Sequence, residues 1–441
     1  MKIKDSILHY TLTAAVTLNI CLSALLWVNP TYLQNTTRND TDTAKNKQGS
    51  ADTAKSRISD VYQPTSITYN RNGQSLRQAS LKLDLTENIR HDIQTWKIKR
   101  VSPVKRYAKK DYETFLQQEQ MVLLAFPDEI APGQLADMLT IPEKASTGRK
   151  FNRIAVRLTQ KPKVYLLNDN NFQVTQLSLK NGQFKNLRSM VKSKDVTQTP
   201  VKIKYLNGRY ISFYTNHVKV QQYSYLANKD NVNTFVTRLL GNTNSSVNSR
   251  KEDKETVYYD NSGQRLTVEN ETGLIHYSNY SHDTSDNETL SKDLTQGFAH
   301  LQETGRLLDD VRYDEYNSNE HQVIYRSYIN AFPILADNNY GTYHIKLAGT
   351  TGERLDFSLY SLQIPVPAKQ RTTDLPPTQQ VWDQLVKSGI SPAKMKSIRV
   401  GYRAEVNRST KQVIDLIPTY FVLYNGSWVD SQKMLTGEIS E

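Results

Sequence analysis

The sequence predicts an α+β protein, mostly antiparallel in its sheets, in which one N-terminal transmembrane helix carries a multidomain extracellular region. Three observations predict it. A single apolar stretch, residues 7–28, contains no Asp, Glu, Lys or Arg in a chain whose mean hydropathy is negative. Short segments beyond residue 60 alternate apolar and polar residues at the period of a strand. Landmarks in the second half recur in one order, which points to two similar C-terminal modules.

The apolar stretch comes first. Its 22 residues suffice to cross a hydrocarbon core of about 30 Å. Lys2 and Lys4 precede it and the next basic residue is Arg38. The positive-inside bias then leaves residues 1–6 as a cytoplasmic tail and puts the C-terminal bulk outside a cell membrane crossed once. Trp27 and Tyr32 mark the outer interface. A cleaved signal peptide is the competing reading, but its apolar region is usually shorter, and Cys21 with Ser23 makes a poor small-x-small cleavage site. A lipoprotein would need a small residue before Cys21, where Ile20 stands.

Thr11, Ala15, Asn19 and Ser23 recur every four residues along one side of this span. Small and hydrogen-bonding side chains there favour close packing against a neighbouring membrane helix, with gains of about 0.6–2 kcal/mol for a polar contact. They are the candidate partner-contact residues. The plain alternative is that weakly hydrophobic anchors simply contain Thr and Ala.

Residues 29–60 follow as a tether. From Asn35 to Asp60 the segment is mostly Asn, Thr, Asp, Lys and Ser without an aromatic residue, and Asp42-Thr43-Ala44-Lys45 is echoed by Asp52-Thr53-Ala54-Lys55. It has too little apolar surface to order itself.

Residues 61–250 read as an N-terminal extracellular domain, or two subdomains. Strands are expected at 153–158, 163–167 and 173–179, with a break beginning at Asn181-Gly182, and amphipathic helices at 81–95, 110–118 and 232–240. Within this domain Lys97, Lys99, Arg100, Lys105, Arg106, Lys109 and Lys110 place seven cations in fourteen residues. Outside a cell such a patch attracts anionic lipid headgroups and wall polymers such as teichoic acid in a salt-dependent manner. The bland reading is a solvated face that keeps the domain soluble.

Residues 251–339 and 340–441 read as the two modules. Gly263-Gln264-Arg265-Leu266 recurs as Gly352-Glu353-Arg354-Leu355, each in a strand–turn–strand pattern. A helix closed by a glycine follows in each, 294–305 and 378–389. Val311-Arg312-Tyr313 then matches Ile398-Arg399-Val400, and Gln322-Val323-Ile324 matches Gln412-Val413-Ile414.

Composition excludes much conventional chemistry. The single cysteine is Cys21, inside the apolar stretch, so no disulfide framework, cysteine-ligated zinc or thiol nucleophile is expected beyond it. The eight histidines include no pair at metal-binding i,i+4 spacing, and there is no glycine-rich phosphate loop. Neither metal nor cofactor is expected. Asp314 and Glu315 are neighbours on an expected strand, where successive side chains face opposite ways.

Ser189-Met190-Val191-Lys192, Ser285-Asp286-Asn287 and Lys387-Ser388-Gly389 occur in the order used by serine penicillin-recognising enzymes. That chemistry needs Ser189 at a buried helix start, whereas its surroundings are polar and basic. The other two motifs read as residues before a helix and a helix C-terminus. An enzyme is therefore not expected.

The charged start, the single span, the Trp27-Val28-Asn29-Pro30 exit and the polar tether resemble the YycH (WalH) family. The Trp382-x-x-Leu385 helix, Ile398-Arg399-Val400-Gly401-Tyr402, Pro418-Thr419-Tyr420 and Tyr424-Asn425-Gly426-Ser427-Trp428 fit the same pattern, so the resemblance spans essentially the whole chain. It implies a membrane-anchored accessory regulator of the WalK–WalR (YycG–YycF) two-component system, which governs cell-wall homeostasis in low-GC Gram-positive bacteria. It also implies two partners, a YycI-like protein and a WalK-like sensor histidine kinase. These motifs are packing and turn patterns without a catalytic residue.

The function expected is therefore regulation of a cell-wall-sensing kinase through transmembrane and ectodomain contacts. The alternative is an anchored receptor for an anionic wall polymer. Nucleic acid is excluded as a partner by the topology. Of the net charge of +12, Lys2, Lys4 and Asp5 account for +1, which leaves +11 facing the wall.

Overall fold

Met121-Val122-Leu123-Leu124 is apolar at every position, a run that a strand tolerates where both faces of its sheet are covered. The computed structural model, which describes residues 56–438 apart from 143–145, 242–246, 281–288, 307, 309, 337–338, 348–351 and 367–370, shows that arrangement. A ten-stranded sheet comprises β1 (Ser66–Arg71), β2 (Gln74–Ala79), β3 (Lys97–Val101), β4 (Lys105–Arg106), β5 (Met121–Ile130), β6 (Phe151–Arg157), β7 (Lys163–Asn168), β8 (Gln173–Asn181), β9 (Thr197–Leu206) and β10 (Arg209–Tyr214). Its order is β10-β9-β2-β1-β5-β6-β7-β8-β3, with β4 also on β8.

Successive side chains of a strand face opposite ways, and the central strands show it. Val122, Leu124, Ile154, Val156, Val164 and Leu166 enter one core, while Met121, Leu123, Ala155, Tyr165 and Leu167 enter the other. The first core is closed by α2 (Leu85–Gln94) and α4 (Lys185–Met190), the second by α3 (Lys109–Leu116). The helix expected from residue 81 starts at Leu85. Ser80 Oγ accepts the amides of Lys82 and Leu83 and turns the chain, and Asp84 caps the helix by accepting the Glu87 N–H at 2.9 Å.

The ordered fold begins earlier than the expected tether allows. Ile58–Val61 forms a helical turn, α1, because Ser59 and Val61 are buried and Asp60 pairs with Arg90. The expected span 7–28, with Thr11, Ala15, Asn19 and Ser23, lies outside the described residues, as does the tether to residue 55. Among the described residues no helix is long and apolar enough to cross a membrane.

The chain continues through β11 (Val218–Gln221), β12 (Tyr223–Lys229) and α5 (Val232–Leu239). Next come β13 (Asn248–Lys251), β14 (Glu255–Tyr259), β15 (Gln264–Glu269), β16 (Leu274–Asn279), α6 (Leu290–Glu303), β17 (Val311–Asn317), β18 (Gln322–Ile329) and β19 (Phe332–Pro333). The rest is β20 (Thr342–Lys346), β21 (Glu353–Ser358), β22 (Tyr360–Pro365), β23 (Thr372–Leu375), α7 (Thr378–Lys387), β24 (Met395–Val406), β25 (Val413–Tyr424), β26 (Ser427–Asp430) and α8 (Ser431–Thr436).

Hairpin, strand, helix, hairpin and short strand thus run from β14 to β19, and the same series, with β23 added, runs from β20 to β26. Gln264-Arg265-Leu266 and Glu353-Arg354-Leu355 open β15 and β21 with one burial pattern, partly buried, exposed, buried. The two series do not occupy separate sheets. One nine-stranded sheet runs β13-β14-β15-β16-β21-β20-β18-β17, with β19 on β18, so it takes in β20 and β21. β22 joins a third sheet, β22-β12-β25-β24, with β26 on β25. The ladders between named strands are antiparallel, and Ile334 with Tyr402 adds one isolated parallel bridge. The expected mostly antiparallel α+β class is what the structure has.

Helix α6 packs Leu294, Phe298 and Leu301 onto the nine-stranded sheet, and α7 packs Val381 and Leu385 onto the third. Gly305 and Gly389 follow their helices with φ of 65° and 94°, the left-handed C′ position that glycine occupies without strain.

Candidate binding surface and the charged cavity

The seven cations singled out in the sequence are brought together on the outer edge of the ten-stranded sheet. Lys97, Lys99 and Arg100 lie on the edge strand β3, and Lys105 and Arg106 on β4, both paired with β8. Lys109 and Lys110 open α3. All seven are exposed. The Nζ atoms of Lys105 and Lys109 sit 4.6 and 3.8 Å from the ring centres of Tyr107 and Tyr205. Such stacking orders the stems while leaving the charges facing water. Charges on an edge strand also discourage pairing with another strand, so the patch has a local structural use as well.

A second charged feature is internal. A cavity of about 170 Å³ lies where the three sheets meet, reached by Arg209 and Asp128 from the first, Asp314 and Glu315 from the second, and Arg399 and Trp428 from the third. Arg399 donates to both carboxylate oxygens of Asp314, Arg326 Nε donates to Oδ2 at 2.7 Å, and the Tyr328 hydroxyl donates to Oδ1 at 2.7 Å. The Arg399 guanidinium also lies 3.8 Å over the Trp428 ring.

Burial opposes ionisation of Asp314, but the charge of Arg399 and its hydrogen bonds, with Arg326 and Tyr328, outweigh it and hold the carboxyl well below the usual carboxylate range. Burial draws Glu315 upward, and the Asp314 charge adds to that.

Asp314 and Glu315 line the same cavity, contrary to the alternation expected of neighbours on a strand. The register between β17 and β18 passes from Tyr313 opposite Tyr325 to Glu315 opposite Ile324, so Asp314 is the extra residue of a β-bulge. With three donors locked onto it, Asp314 holds no exchangeable proton near neutrality. The arrangement ties sheets together rather than pairing an acid with a base.

The serine-enzyme motifs are spread apart in kind. Ser189 is exposed near the end of α4 instead of at a buried helix start, Lys387 is in the last turn of α7, and 285–287 lie outside the described residues. Among the described residues, no three His, Cys, Asp or Glu side chains gather so as to hold a metal ion. Sequence reasoning did not single out Asp314, Arg326 or Arg399 as a cluster. The available signal was an arginine set between two apolar strand residues, as in Ile398-Arg399-Val400.

Comparison with known proteins places these features in context. Residues 5–196 match the family model described as YycH protein, N-terminal domain, and residues 209–436 match the YycH protein, C-terminal domain. The structure is similar to the crystal structure of YycH from Bacillus subtilis, with a TM-score of 0.69 and 15% identity over 86% of this chain and 98% of that one. No curated protein sequence matches the chain.

Proposed function

The chain belongs to the YycH family of membrane-anchored regulators of the WalK (YycG) two-component system, and from that premise we propose how it acts. It associates with a WalK-like sensor kinase through the membrane helix at 7–28, by the stripe Thr11, Ala15, Asn19 and Ser23. Its ectodomain engages a YycI-like partner through the two C-terminal series of elements, read as copies of one module. The observation that carries this reading is that the two family models together cover residues 5–196 and 209–436. The apolar stretch is therefore part of what the family shares with this chain.

A small energetic bias suffices. A regulator shifts a kinase between two states only by its differential affinity for them, and about 1.4 kcal/mol changes the ratio tenfold. One interhelical polar contact is of that order. A chain shortened to residues 1–34 should still alter WalR phosphorylation in membranes. Complete loss of regulation would favour the second reading.

That second reading is a receptor for an anionic wall polymer, supported by the seven exposed cations on β3, β4 and α3. Among the described residues none of them forms an ion pair. Retention on teichoic acid or anionic liposomes at low salt that disappears when they are neutralised would support it. Retention unchanged by neutralisation would remove it.

A further inference from the structure

A separate cleft of about 410 Å³ opens beside the charged cavity, within the range typical of small-molecule sites. Its walls come from the three larger sheets and from β11, which pairs with β23 in a separate two-stranded sheet. β2 contributes Arg77, β17 and β18 contribute Arg312 and Tyr328, and β24 contributes Tyr402. The turn between β2 and α2 forms the mouth, where Leu81 and Leu83 are 69% and 37% exposed.

Arg312 is the unusual residue of this lining. Its guanidinium lies 5.5 Å over the Tyr328 ring, and among the described residues it forms no hydrogen bond or ion pair. Burial draws it below the ordinary arginine range although Asp84 and Asp310 stand near enough to oppose that. The cation is thus under-compensated where it stands. Arg77 faces the same space. Its guanidinium lies 5.3 Å over Phe332, and its hydrogen bonds to Ser66 Oγ, Thr65 O and Ala331 O are 3.2 to 3.5 Å long. Lys219 and Lys82, the latter paired with Asp195, add two more positive groups, and the acidic residues of the lining are Asp84, which caps α2, and Asp310.

Both guanidinium groups lie on aromatic rings of the cleft, Arg312 without a hydrogen-bond partner among the described residues and Arg77 held by long bonds to Ser66, Thr65 and Ala331, and the planar fork of Arg312 matches a carboxylate or phosphate. Leucines at the mouth match an apolar body. We propose that this cleft binds a small organic anion, whose carboxylate or phosphate head pairs with Arg312 and Arg77 and whose apolar body lies against Leu81, Leu83 and Phe332. Because the walls belong to separate sheets, an occupant bridges them.

The test uses the full chain in lipid nanodiscs, with empty nanodiscs as reference, titrated by saturation-transfer NMR with phenyl phosphate, benzoate, inorganic phosphate and benzamide. Phenyl phosphate, benzoate or both should saturate a site, with inorganic phosphate and neutral benzamide weaker by about tenfold or more. A preference for phenyl phosphate marks a phosphate ester and a preference for benzoate marks a carboxylate. Arg312→Gln should weaken binding by about tenfold or more. Leu83→Glu, at the exposed mouth, should weaken it too while leaving the thermal midpoint unchanged, and it decides the matter if Arg312→Gln fails to fold. Saturation by neither aromatic anion, equal binding of inorganic phosphate, or affinity unchanged in a folded Leu83→Glu chain overturns the proposal.

Discussion

The guanidinium of Arg399 grips the carboxylate of Asp314 with both arms of its fork, Nη1 2.6 Å from Oδ1 and Nη2 2.8 Å from Oδ2. Asp314 belongs to the nine-stranded sheet and Arg399 to the third sheet, so this pair is a joint between them. Its carboxylate has no exposed side-chain surface. Removing Asp314 leaves Arg399 and Arg326 without their shared carboxylate, at a cost of about 3–5 kcal/mol, whereas removing Arg399 leaves Asp314 still paired with Arg326. Asp314→Asn should lower unfolding stability by that amount in urea titrations, and Arg399→Leu by less. A loss under about 1 kcal/mol in Asp314→Asn would reduce the joint to an ordinary surface pair.

Helix α6 approaches its sheet through Gly297. A β-carbon there would lie 2.9 Å from Tyr325 Oη and 3.0 Å from Val323 Cγ2. Tyr325 has little room to yield, since its hydroxyl is 2.7 Å from that of Tyr62. Alanine is the better helix former by about 1 kcal/mol, yet overpacking costs about 1–3 kcal/mol. Gly297→Ala should therefore lower the thermal midpoint, and a raised midpoint would show that the helix can move away.

His300, on the same helix, bridges Glu303 at 3.1 Å and Glu353 of β21 at 3.5 Å. Burial disfavours its cation, but hydrogen bonds to the two carboxylates prevail and raise it to about 9. A histidine raised on folding contributes stability that is fully present below its unfolded value of about 6.5 and is lost as pH rises through about 9. The midpoint difference between the parent and His300→Gln should shrink from pH 6 to pH 10. A difference that grows with pH would reverse the assignment.

Neutralising Lys97, Lys99, Arg100, Lys105, Arg106, Lys109 and Lys110 together should leave folding nearly untouched, because exposed substitutions usually stay within about 0.5 kcal/mol each. Any affinity for anionic vesicles should fall by about 1 kcal/mol per charge removed near the surface, and less in high salt. Vesicle affinity that is insensitive to salt would point to another surface.

Much of the fold was legible in the sequence because its signals are local. Alternation in 153–158, 163–167 and 173–179 located β6, β7 and β8 to within two residues, and glycines 305 and 389 marked their helix ends. What escaped depends on contacts distant in sequence. No local pattern tells that β20 and β21 pair into the sheet of the preceding series while β22 crosses to the next. The bulge that turns Asp314 and Glu315 into one cavity depends on the partner strand β18. Arg312 and Arg399 occupy matched positions in sequence yet line different spaces, a distinction that only the packing of three sheets creates.

The proposed regulation sets one side of the span expected at residues 7–28 against a WalK-like kinase. A photoreactive residue placed at Asn19 or Ala15 of the full chain, irradiated in native membranes and followed by mass spectrometry, tests it directly. Adducts with a transmembrane helix of the kinase are expected from these two positions and far fewer from Thr17, on the opposite side of an α-helix. Adducts to lipid alone from Asn19 and Ala15, with WalR phosphorylation unaffected by Asn19→Leu, would contradict it.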